Sequence, residues 1–92
     1  MNQTNLPQAI ERIQQMELYF DALQHAVNIS ADAIKQDKTL DSMLQALLQY
    51  YEHGQWITDY TLDEAGLLPA ALKRGVLSQD GLYNLLTQIE HS

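Results

Sequence analysis

Cysteine is absent from the 92-residue chain, which removes disulfide staples, thiol nucleophiles and thiolate metal sites together. A reducing, cytoplasmic setting is expected. Basic side chains are scarce, five against twelve acidic ones for a formal net charge of −7, so the mean field repels phosphate backbones and anionic lipid. Nucleic acid and membrane surfaces are therefore not expected partners. No apolar run approaches the ~18 residues of a membrane span, and Met1 to Glu11 lacks the basic start and apolar stretch of a secretory leader. Also missing are internal repeats, low-complexity tracts, an interdomain linker and the alternating apolar pattern of strands. What remains is 46% hydrophobic and 18% charged, a globular balance that at this length predicts one all-α domain over residues 1–92. A chain this short buries only about two-thirds of its unfolded surface, which leaves little room for a deep, insulated active site.

The apolar residues keep helical time. Leu6, Ala9, Ile13, Met16, Phe20, Leu23, Val27 and Ile34 recur at steps of mostly three and four, and predict one long helix over 6–36 with Asn5 as cap and Pro7 in its first turn. Asn28 and Ser30 are its weak point, but continuity is expected. A second helix is predicted over 39–53, capped by Thr39, carrying Leu40, Met43, Leu44, Leu47, Leu48 and Tyr51 on one side and stopped by Gly54. The two form an antiparallel hairpin. Residues 54–77 hold three of the four glycines, all but Gly81, and read as loops with short helical turns, one opened by Pro69 and ended by Gly75. Ser78 then caps a C-terminal helix over 78–90 bearing Leu82, Leu85, Leu86 and Ile89. A continuous 6–36 helix would span roughly 46 Å, twice the length of the second helix. Either the C-terminal segment packs back over the uncovered half, or a second copy does so and makes a homodimer.

Few constellations suggest chemistry. His25, His53 and His91 are too scattered for a metal-binding helix pair, and Asp59, Asp63, Glu64 and Gly66 fail the register of a calcium loop, because Glu64 falls where the turn glycine belongs. Neither a metal nor a cofactor is expected. The serines lack a nucleophile elbow, and the glycines lack a phosphate-loop spacing. No catalytic residue is assigned. Arg74 is the best candidate for a structural ion pair, with Asp59 or Asp80 as partner. Trp56 and Tyr60 stand four residues apart on what would be one helical face, and suit either a small core or an interface.

The run Trp56, Asp59-Tyr60, Asp63-Glu64, Gly66, Leu68-Pro69, then Leu72-Lys73-Arg74-Gly75-Val76-Leu77-Ser78-Gln79-Asp80-Gly81-Leu82-Tyr83-Asn84-Leu85-Leu86 resembles a bacterial family known only as domain of unknown function 4298. The resemblance is close over the last forty or so residues, and implies a small uncharacterised cytoplasmic protein with no activity, cofactor or catalytic residue to carry over. Trp56, Asp59, Tyr60, Arg74, Asp80 and Tyr83 thus form a candidate corner, structural or docking, because aromatics and arginine are enriched in binding hot spots. The expected function is an interaction or accessory module with an unknown protein partner or a second copy. The alternative is a small enzyme or ligand binder built on Asp59, Asp63, Glu64, Arg74 and Tyr83, and an acidic nucleic-acid mimic is a third reading that rests on net charge alone.

Overall fold

The stripe that starts at Leu6 winds into α1, Leu6–Ile29, in a computed structural model that describes residues 6–90. The Asn5 cap lies outside the described residues. Ala9, Ile13, Phe20 and Leu23 are buried along one face of α1, each large side chain contributing about 1.5–3 kcal/mol of transfer free energy. The expected continuity through Ser30 is corrected by the structure. Ser30 adopts extended backbone (φ −167°, ψ 118°), and a separate short helix, α2, runs over Ala31–Gln36. The reason is local: Asn28 and Ser30 compete poorly for helical geometry, and Ile29 between them is 75% exposed, so no packing holds the turn straight. Redirecting the chain places Ile34 fully inside the core.

Helix α3, Lys38–Glu52, starts one residue earlier than the sequence suggests, because Asp37 rather than Thr39 caps it. Asp37 Oδ1 accepts from the backbone amides of Thr39 (2.8 Å) and Leu40 (3.1 Å), using a carboxylate that is at least as good a cap as threonine. Gly54 ends this helix in the left-handed region (φ 91°) and also stands as the N-cap of the next.

That next element, α4 over Gln55–Glu64, is a full ten-residue helix in the span expected to hold loops with short helical turns. Its β-branched Thr58 and Thr61 direct their hydroxyls to the carbonyls of Gly54 and Ile57, so neither polar group competes against the helix from outside it. Gly66 (φ 73°) closes α4 with paired bonds, Gly66 N–H to Asp63 O and Leu67 N–H to Leu62 O, the 5→2 and 6→1 pattern that satisfies terminal carbonyls. A turn from Pro69 to Leu72 then leads to a 3₁₀ turn, Gly75–Leu77, which Gly75 opens rather than follows. Helix α5 covers Gln79–Glu90, and Ser78 Oγ accepts from the Gly81 amide at 3.2 Å.

The described residues are thus helical with no strand. α1 is the hub: α2, α3, α5 and the 3₁₀ turn all pack against it. α5 also packs on α2, so the C-terminal helix folds back over the face that α3 leaves open. The described chain measures 43 × 23 × 18 Å, elongated along α1.

Candidate functional site

The corner picked out by sequence is built around two buried polar groups. Asp59 is wholly inaccessible although it carries a carboxylate, a placement tolerated only when the charge is paired and hydrogen-bonded. Arg12 on α1 supplies the pair. Its Nε donates to Asp59 Oδ2 at 2.9 Å and its Nη2 to Oδ1, a two-pronged contact suited to the planar guanidinium. Tyr50 on α3 adds its hydroxyl to Oδ2 at 2.8 Å. Three helices therefore converge on one carboxylate. The hydrogen bonds that Arg12 donates to Asp59 are the main cause that raises the Arg12 pKa above its ordinary value. Burial, reinforced by the bond to Asp59 and its charge, pushes the Tyr50 hydroxyl far above the ordinary tyrosine range, so it stays protonated and donates.

The second polar group is the backbone of Val76, in the 3₁₀ turn and fully buried. A three-residue turn leaves its amide and carbonyl unpaired locally. Glu17 Oε1 accepts from Val76 N at 2.8 Å, and Trp56 Nε1 donates to Val76 O at 3.0 Å. Trp56 is thereby a core residue. It also stacks on Tyr60 (centroids 5.0 Å apart, 17° between planes) and meets Tyr51 edge-on (5.3 Å, 63°), geometries that aromatic quadrupoles favour.

Arg74 does not pair with Asp59 or Asp80 as expected. It bonds Asp63 at 2.7 Å, because Arg12 has already taken Asp59 and Asp80 is exposed in the first turn of α5. Lys73 reaches Asp21 on α1 at 3.2 Å. Of the six candidate residues, Trp56 and Asp59 are interior, Tyr60 and Arg74 half-buried, and Asp80 and Tyr83 exposed. The structure separates them into a structural core and an outer surface. Of the three acids of the enzyme reading, Asp59 has both oxygens bonded by Arg12 and Tyr50, Asp63 Oδ1 accepts from Arg74, and Glu64 is exposed. Among the described residues, no group of three or more His, Asp or Glu is placed to hold a metal ion, and no helix is long and apolar enough to cross a membrane. His91 lies outside the described residues.

Sequence reasoning missed Arg12 and Glu17. For Glu17 a signal existed, since a carboxylate stands four residues after Ile13 and three before Phe20, inside the apolar stripe. Arg12 stands beside that stripe and gave none.

Outside this core, α3 and α5 both lean on α1 and α2, and a cleft of about 210 Å³ opens between them. Its apolar lining includes Leu44, Leu48, Tyr51, Tyr83, Leu86 and Ile89, with Glu52 and Glu90 among its polar groups. Tyr51 is fixed there by its edge contact with Trp56. Tyr83 is 59% exposed.

These features define a small all-α protein whose C-terminal half is pinned to its first helix by buried polar contacts. A family model described as Domain of unknown function (DUF4298) matches residues 13–92, and the chain belongs to that family. The matched span begins one residue after Arg12. Neither a curated protein nor a solved structure matches significantly.

Proposed function

We propose that the protein is a cytoplasmic interaction module that holds a basic, amphipathic helical segment of a partner protein in the cleft between α3 and α5. The observation that carries this reading is the cleft's lining, apolar side chains with two tyrosines, Tyr83 among them exposed, and two glutamates and no lysine or arginine. Such a surface suits apolar anchors flanked by cations, and aromatic residues supply large contact area at low entropic cost. Net charge −7 favours approach of a basic partner and disfavours a second copy, which would bring the same charge.

The test uses the full chain and a synthetic leucine–lysine amphipathic helix of about four turns, with binding followed by fluorescence anisotropy and the free protein examined by sedimentation velocity. Saturable binding is expected, with Tyr83→Ala weakening it about tenfold or more and helicity unchanged, since Tyr83 is exposed. Equal binding by the variant, or none by the wild type, overturns the proposal. A wild-type dimer that Tyr83→Ala dissociates assigns the cleft to a second copy and overturns it too.

A further inference from the structure

A second cleft, of about 440 Å³, lies between α1 and the segment of chain that precedes the 3₁₀ turn, and shares no lining residue with the first. Its size is within the usual range for small-ligand sites. Gln14, Glu17, Leu18 and Asp21 line it from α1, and Ala71, Leu72 and Lys73 from the opposite side.

Glu17 makes this cleft more than a surface groove. The residue is only 6% exposed, yet no lysine, arginine or histidine pairs with it among the described residues. Oε1 accepts the Val76 amide, and Oε2 accepts no hydrogen bond among the described residues. No side-chain oxygen or nitrogen there is sealed from solvent without a partner, so Oε2 keeps some contact with solvent, and Glu17 is one of the residues that line the cleft. A carboxylate this little exposed and without a protein counter-ion favours a cation over water at its open oxygen. The Val76 amide holds it in place, and glycine at position 75 leaves it room, since a Cβ there would stand 3.0 Å from Oε2 and 3.5 Å from Oε1. Glycine at that position lets the backbone press against the carboxylate and aim it.

The one cation that lines this cleft, Lys73, is committed to Asp21, and that ion pair is exposed. Two carboxylates and one ammonium line the cleft, so its formal charge is −1, and Leu18, Ala71 and Leu72 provide apolar wall. We infer that this cleft is a binding site for an organic monocation, an alkylammonium group on an apolar stem, with Glu17 Oε2 accepting its hydrogen bond and Leu18 and Leu72 flanking the stem. The same chemistry is presented by a free alkylamine and by a lysine side chain of a peptide. Neither rests on occupancy of the cleft between α3 and α5.

Two probes distinguish those sources: n-butylammonium and N-acetyl-lysine N-methylamide, each titrated into the full-length protein labelled with nitrogen-15. Saturable shifts are expected at the amides of residues 71–73, of Val76 and of Leu18. Binding of n-butylammonium alone identifies a free amine, and binding of the lysine derivative identifies a side chain. Glu17→Gln keeps an oxygen for the Val76 amide but removes the charge, and should weaken binding about tenfold, the usual size for a hydrogen bond to a charged group. Lys73→Ala alters only an exposed ion pair and so leaves the fold intact even if Glu17→Gln does not. By freeing Asp21 it should strengthen binding about twofold. Absence of saturable shifts with both probes, wild-type affinity in a folded Glu17→Gln variant, or weaker binding by Lys73→Ala overturns the inference.

Discussion

Two arginines show how far position decides what a charge is worth. Arg12 and Arg74 each meet one aspartate, but Asp59 has no exposure, whereas Arg74 and Asp63 keep 33% and 27% of their side chains accessible. Removing Asp59 leaves a partly buried guanidinium and the Tyr50 hydroxyl without their acceptor. Asp59→Ala is therefore expected to cost about 3 kcal/mol, the low end for a broken buried pair because Arg12 retains some solvent, and Arg74→Ala under about 1 kcal/mol. Urea unfolding of the two variants measures the contrast, and equal losses would show that burial is not what matters. Residue chemistry was only partly legible in the sequence. The partners of Arg12, Glu17 and Lys73 lie 47, 59 and 52 positions away, and no periodicity reports on contacts at that range. Ser78 as cap of α5 was readable because its partner is three residues on.

Elements were legible where one local signal dominated. α3 and α5 carry clean apolar faces and side-chain caps, so their existence followed from spacing, and Asp37 rather than Thr39 as the cap shifts α3 by a single position. Asp37→Ala strips two amide partners from the first turn of α3 and should lower stability by about 1 kcal/mol, read as a lower midpoint in thermal unfolding followed by circular dichroism; an unchanged midpoint would mean that water caps the helix as well. α4 was hidden because Gly54 carries two roles in one residue, terminating α3 with a positive φ and opening α4 at the same position. A glycine that stops a helix gives no hint that another begins beside it. Ser30 was the reverse case. The apolar stripe resumes at Ile34 on the far side of the break, which conceals a change of direction that the stripe itself cannot register.

Viewed whole, the molecule joins its first helix to everything that follows through groups that must keep a particular protonation state. Tyr50 is the alkaline limit. Its hydroxyl titrates near 10 when unfolded and higher when folded, so the proton it holds favours the native state fully below that unfolded value. Above about pH 10 the unfolded chain loses the proton first and gains stability relative to the fold. Thermal unfolding across pH 8 to 12 should therefore show a loss of stability for the wild type that is smaller in Tyr50→Phe, which starts less stable at neutral pH because Asp59 has lost a donor. Identical slopes would remove Tyr50 from the account. The overall all-α architecture was legible from composition and periodicity, while the packing of α5 back onto α1 and α2 was not, because a fold-back and a second copy would cover the same apolar stripe.

The long sequence separations have a kinetic consequence. α1 can wind early through its own hydrogen bonds, but Arg12 and Glu17 stay unanswered until Asp59 and Val76 arrive. Closing loops of that length is slow relative to local helix formation. Docking of residues 55–77 onto α1 is thus expected to be the late step in acquiring the native state, so that a fold helical in all its described elements would share some of the hesitation usually associated with sheets.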